Sequence, residues 1–283
     1  MENKNFFAND FQLQENEPYH LSMQVCSEGF LYSILDIKNR KYCGLKQYAT
    51  TGTNEDKSEQ IINILAQEAH FSFPFTSVYL QTQSYKAMLV PESLFDSNNL
   101  RTFLKFHHDV DEKDRIHFAP VKAAEAFIIF SIPVAIEDEI LKYFPNVKFS
   151  HHSIPFITTA LQSSTTNDTL STININFGKD FFDVLIVRNK KILLFNSFFY
   201  QKYTDVVYFV SNIINLFSLQ PSHSQIIISG LVEEKSEIEA ELAKMFSAIY
   251  YAQYNLDFKY AEALSSIPQH YYVNHLNLYH CEL

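Results

Sequence analysis

From His20 onward, apolar and polar side chains alternate with the period of a strand, so that Leu21, Met23 and Val25 share one face. Further runs, Phe30 to Ile37 and Tyr42 to Tyr48, flank the polar tetrad Lys38-Asn39-Arg40-Lys41 and predict a three-stranded meander. The period then changes. Acidic Glu55 and Asp56 follow a cap at Thr53 or Asn54, and Ile61, Ile62, Leu65 and Ala69 fall on one side of a helix. A strand over Thr76 to Thr82 closes the unit.

About 150 residues later the series returns. Ile173, Ile175 and Phe177 share a strand face, Phe181 to Val187 is a second strand, Arg188-Asn189-Lys190-Lys191 repeats the basic turn, and Ile192 to Phe199 is a third strand. The helix predicted over Thr204 to Leu219 carries Val206, Val207, Val210, Ile213, Ile214 and Phe217, and is apolar enough to be expected nearly enclosed. The strand Gln225 to Ser229 completes the repeat. A last amphipathic helix opens with the capping box Ser236…Glu239 and presents Ile238, Leu242, Phe246 and Ile249. The expected fold is therefore α/β, a duplicated β-β-β-α-β unit of ribonuclease H-like character.

Between the repeats lie a strand Tyr85 to Val90, a turn at Pro91 to Phe95, and a short helix around Leu100, Phe103 and Leu104. Strands near Ile116 to Val121 and Glu125 to Ile132, a helix starting near Pro133, a strand Val147 to Ser150 and a helix Ile154 to Gln162 follow. The Ser/Thr/Asn run from Ser163 to Thr169 has no apolar anchor before Leu170 and reads as a linker. These boundaries predict an N-terminal arm (1–19), a first lobe (20–162) with an insertion at about 85–121, a linker (163–170), and a second lobe with a C-terminal tail (171–283).

Composition narrows the chemistry. The net charge is −10 and both halves are acidic, which opposes a nucleic-acid partner, because phosphate-reading surfaces act through Lys and Arg. There are 5 glycines, where average usage gives about 20, so few places allow backbone to wrap a phosphate. Three cysteines without CxxC spacing point to buried or idle thiols in a reducing compartment. The first residues carry no readable signal peptide, and the apolar stretch Ala126 to Ile136 is too short to span a bilayer. The expected compartment is the cytoplasm, with no membrane span.

Tyr85 to Phe95, Ile173 to Gly178 and Ile226-Ile227-Ile228-Ser229-Gly230, set in this duplicated frame, resemble the actin-like ATPase superfamily. The chain is most similar to its pilus-assembly and cell-division branch and to a family of uncharacterised Bacteroidetes proteins. The resemblance implies two Asp-x-Gly turns that grip nucleotide phosphates and Mg²⁺, and a Gly-Gly pair against the adenosine. Here the first turn is Cys26-Ser27-Glu28-Gly29, after a strand without carboxylate. The second is Asn176-Phe177-Gly178-Lys179, with an amide where the acid belongs, and the adenosine pair is Ser229-Gly230. An amide lacks the negative charge a divalent ion favours. Asn176, Gly178, Ser229 and Gly230 are thus candidates for a vestigial nucleotide cleft, and the expectation is no cofactor and no catalytic residue.

The rival is an ATP-binding ATPase or kinase with unconventional metal residues such as Glu28, Asp36 or Asp183. A ribonuclease H-type nuclease would need a carboxylate on the first strand, which neither repeat has. His107-His108-Asp109 offers metal-type ligands, but in a segment that reads as a solvated loop. His151-His152 reads as a partly buried turn at a strand end. Tyr250, Tyr251, Tyr254, Tyr260, Tyr271, Tyr272 and Tyr279 suit either a domain face or a protein-contact patch. A non-catalytic scaffold with a protein partner, another protein or a second copy, is the expected role.

Overall fold

The computed structural model describes residues 3–166 and 170–282. Part of the predicted linker and the first two residues of the predicted arm lie outside the described residues. After β1 (Lys4–Asn5), the meander forms as β2 (Tyr19–Cys26), β3 (Gly29–Asp36) and β4 (Lys41–Ala49), each antiparallel to the next. Leu21, Met23, Phe30 and Ile34 bury one face of the sheet. Helix α1 (Asn54–Gln67) starts at the capping box Thr53/Asp56 and buries Ile61 and Leu65. Ala69 falls instead in a 3₁₀ turn beyond the helix and is exposed, because the helix stops at Gln67. β5 (Ser77–Thr82) then runs parallel to β2.

A separate three-stranded sheet forms from β6 (Ala87–Pro91), β7 (Asp114–Val121) and β8 (Ala126–Pro133), with α2 (Leu100–Lys105) against it, and its central strand β8 lies beyond the insertion expected at about 85–121. Helix α3 (Val134–Tyr143) leads to β9 (Lys148–His151), which joins the first sheet parallel to β5, and α4 (Ser153–Ser163) follows.

The second sheet repeats the first. β10 (Ser171–Phe177), β11 (Phe181–Arg188) and β12 (Lys191–Phe199) form the meander. Helix α5 (Tyr203–Leu216) crosses to β13 (Ser224–Gly230), and α6 (Glu237–Ala243) crosses to β14 (Ile249–Tyr251). The sheet order is β12-β11-β10-β13-β14, the counterpart of β4-β3-β2-β5-β9. Even the bulge recurs, at Ile34/Leu35 and at Ile186/Val187. The paired basic turns both use positive φ, at Arg40 in the first and at Asn189 and Lys190 in the second.

Two expectations need correction. Helix α5 is not enclosed: Val206, Val210 and Ile213 are buried, but Tyr208 is 62 % and Leu216 78 % exposed, because only one side of the helix meets its sheet. Helix α6 buries Leu242 but ends at Ala243, so Ile249 sits on β14.

The C-terminal segment crosses back. β15 (Lys259–Tyr260) pairs parallel to β4, and α7 (Val273–Leu276) and α8 (Leu278–Glu282) follow. Leu31, Leu35, Tyr42 and Leu45 pack there against Tyr254, Phe258, Leu264, Tyr272 and Leu276. Tyr254 and Tyr272 are core, Tyr260 stacks on Tyr42 and Tyr254, and the Tyr251 hydroxyl donates to Glu239. Of the tyrosines singled out in the sequence, Tyr250 is the exposed one. Among the described residues, no helix is long and apolar enough to cross a membrane.

Candidate functional site

The first hairpin turn of each sheet points into one cleft. Ser27 and Glu28 form the turn between β2 and β3; Gly178 to Asp180 form the one between β10 and β11. The two meet directly, for the backbone N–H of Lys179 donates to Glu28 Oε1 over 2.6 Å. Glu28 is 3 % exposed, and its second oxygen accepts from Ser27. A carboxylate of the chain itself thus occupies the gap between the turns, satisfied by an amide N–H of the opposite half.

Asn176 lies on β10 in register with Asp183 on β11 and Ser229 on β13. Its Nδ2 donates to Asp183 Oδ2 (3.1 Å), while its Oδ1 accepts from Ser229 Oγ (3.0 Å) and from Asn274 Nδ2 (2.8 Å). Asp183 is fully buried and also accepts from His152 Nε2 (2.7 Å) and Ser197 Oγ (2.6 Å). Three donors around one carboxylate are how a protein interior accommodates such a group. The amide at 176 has a physical reason: it donates to Asp183, and an acid there would set two carboxylates side by side.

Gly178 and Gly230 differ in what holds them. A Cβ on Gly178 would meet Gln83 Nε2 and the Phe181 carbonyl at 3.3 Å, an adjustable approach. Gly230 has φ +86°, and a Cβ there would collide with the Phe177 backbone. The glycine thus serves the close approach of β13 to β10, while its N–H donates to the His270 carbonyl of the tail (2.8 Å). The Tyr200 hydroxyl donates to the Gly178 carbonyl, and burial, with Glu28 and Asp180 nearby, pushes its pKa up to about 12.

Residues of both halves and of the tail line what is left of the cleft, among them Gln24, Cys26, Glu28, Asn176, Tyr272 and Asn274. The remaining cavity is about 30 Å³, room for water rather than for a ligand of hundreds of cubic ångströms. Burial pushes the Cys26 thiol well above its ordinary range, so it remains neutral.

Other candidates have local partners. His108 Nε2 donates to the Ala87 carbonyl (3.2 Å), and Asp36 accepts from Asn39 at the far end of β3, remote in register from Glu28. Among the described residues no three His, Cys, Asp or Glu side chains converge as a metal-holding group. Sequence reading missed the fully buried His152, taken for a partly buried turn, and Asn274, which only the returning tail brings to Asn176. The register opposite Asn176 could have flagged Asp183 as its partner; nothing in the sequence could have flagged Asn274.

A family profile described as "Protein of unknown function (DUF3822)" matches residues 8–249. The chain belongs to this family. Among solved structures it is similar to a Bacteroides thetaiotaomicron protein of actin-like ATPase fold and unknown function, with 19 % identity and a TM-score of 0.76 over 90 % of this chain and 98 % of that one. It is also similar to a chain of the PilM–PilN type IV pilus biogenesis complex, with 10 % identity and a TM-score of 0.57 over 92 % and 97 %. No curated protein matches its sequence. The resemblance read from the sequence holds at the level of fold: this DUF3822 member has the actin-like ATPase fold.

Proposed function

We propose that this chain works by contact with another protein and not by turning over a nucleotide, the cleft between its lobes being a closed relic of a nucleotide site. The observation that carries this reading is that the chain fills its own cleft. Glu28 occupies the space between the two turns, and Asn274 bridges Asn176 and Ser229. A nucleotide would have to displace a buried carboxylate and an amide, both hydrogen-bonded, before reaching backbone N–H groups. The pilus relative is known in complex with PilN, a protein partner, which agrees with a contact role.

The rival, an ATP-dependent enzyme using Glu28, Asp36 and Asp183, is less well supported. Glu28 and Asp183 are engaged by the donors described above, and Asp36 lies at the other end of its strand. Melting curves with and without Mg-ATP or Mg-ADP separate the two. The contact reading expects no shift. A nucleotide bound at 1,000 times its dissociation constant adds about 4 kcal/mol, or roughly 8–16 °C for a chain of this size. A rise of that order, with phosphate release, would overturn the proposal.

A further inference from the structure

The edges of the three sheets are finished in different ways. β9 and β14 are four and three residues long. β6 has five residues and ends at Pro91, and β7 carries Asp114, Arg115 and Pro120. Short length, charge and proline are ordinary protections against pairing with a foreign strand. The outer edge of β4 is covered by the chain itself: Lys4 and Asn5 pair antiparallel with Gln47 and Lys46, and Lys259 and Tyr260 pair parallel with Lys41 and Tyr42.

β12 holds the same place in the second sheet, and among the described residues no strand pairs with its outer side. It is nine residues long, and everything from Ile192 to Phe199 is uncharged. The Ser197 N–H donates to the adjacent Asn196 Oδ1 (3.0 Å), a local cap that an incoming strand would replace. Leu193 and Phe199 are exposed along it. Phe198 touches Phe209 of α5, next to exposed Tyr208, so the apolar surface continues from the edge onto the open side of the helix.

We propose that the outer edge of β12 is a docking site for an extended segment of a partner protein, apolar at alternate positions and acidic at its ends, which adds a sixth strand to the second sheet. This rests on the contact reading above. Main-chain hydrogen bonds would supply the affinity and the alternating side chains the selectivity. The occupant's charge follows from the ends of the strand. Lys190 and Lys191 precede or open it and Lys202 follows it, all exposed, a basic frame in a chain of net charge −10. Two copies of β12 paired antiparallel would set the Lys190–Lys191 end of each beside the Lys202 end of the other, like charge near like, which disfavours a second copy. Carboxylates at those ends meet the lysines instead.

The test uses the full chain and a capped peptide, Asp-Glu-Val-Thr-Ile-Thr-Val-Thr-Glu-Asp, in a calorimetric titration. Saturable binding is expected, about tenfold or more weaker for the peptide with lysines in place of its acids and for the chain carrying Leu193→Glu and Asn196→Glu. Both positions are exposed, and circular dichroism confirms the fold of the variant. No saturation up to about 1 mM, or equal binding by the variant, overturns the proposal. So does a dimer of the unmodified chain that Asn196→Glu dissolves, since it assigns the edge to a second copy. Melting with Mg-ATP is run on the same sample. A peptide that fails beside an unchanged melting temperature removes this surface alone, whereas a nucleotide shift removes the contact reading itself.

Discussion

The two sheets share strand order and the position of the bulge, yet the same register carries different chemistry in each. Aligned on the bulge, Gln24, Leu31 and Gln81 of the first sheet correspond to Asn176, Asp183 and Ser229 of the second. In the second, all three join one hydrogen-bonded cluster that reaches His152 and Asn274. In the first, Leu31 packs under the returning tail, Gln24 donates to Gln83, and the Gln81 amide is buried without a hydrogen-bond partner. The third strands diverge as well: β4 is covered, and among the described residues no strand pairs with the outer side of β12. The alternation that builds a sheet therefore leaves individual inward positions and edges free to change, and function follows those positions.

That contrast can be broken experimentally, first at Asp183. Asp183→Ala leaves three donors, buried His152 and Asn176 and half-buried Ser197, without their acceptor, and a loss of about 3–5 kcal/mol is expected in denaturant unfolding. A loss under about 1 kcal/mol would make the two halves equivalent at this register.

Gly230 is next. Its counterpart in the first sheet is Thr82, each opposite the end of its central strand. Because Gly230 combines positive φ with a backbone collision, Gly230→Ala should cost about 2–4 kcal/mol by the same assay. Tolerance there would mean that the end of β13 is free to move away from Phe177.

Acid sharpens the comparison at His20, whose counterpart is Thr172. Burial holds His20, and likewise His275 on the tail, at a pKa of about 3 in the folded chain, against 6.5 ordinarily. Below about pH 6.5 the unfolded chain takes up protons that the folded chain refuses. Stability is therefore retained above that pH and lost as pH falls toward 3, by about 1.4 kcal/mol per pH unit for each histidine. Comparing unfolding at pH 6 and pH 5 for the parent and for His275→Leu should show a shallower dependence in the variant; equal slopes would mean that His275 is not kept neutral.

The smallest effect is expected at Gly178, the glycine of the second turn. It has no positive φ and a Cβ would meet its neighbours at 3.3 Å, a misfit of tenths of an ångström, so Gly178→Ala should cost no more than about 1 kcal/mol. A large loss would show that the turn has a conformational demand like that at Gly230.

Much of this was legible in the chain. The Leu21/Met23 alternation, the Thr53/Asp56 and Ser236/Glu239 caps and the two basic tetrads are local, and strands, helix starts and turns appear within a residue or two of where they predict. The helix after β12 was misjudged because composition reports how apolar a segment is, not how much partner surface it meets. The motif positions Asn176, Gly178, Ser229 and Gly230 were found, but their partners were not. Lys179 and Glu28 are 151 residues apart, and Asn274 and Asn176 are 98 apart.

Periodicity and capping act over a few residues, so the repeat, its elements and the lack of acids on both first strands are written locally in the chain. Packing across the whole fold brings the tail back to the first sheet, sets Glu28 in the gap between the turns, and leaves β12 without a further strand among the described residues. Those outcomes depend on which distant surfaces bury each other, and burial is a property of the packed chain rather than of any segment read alone.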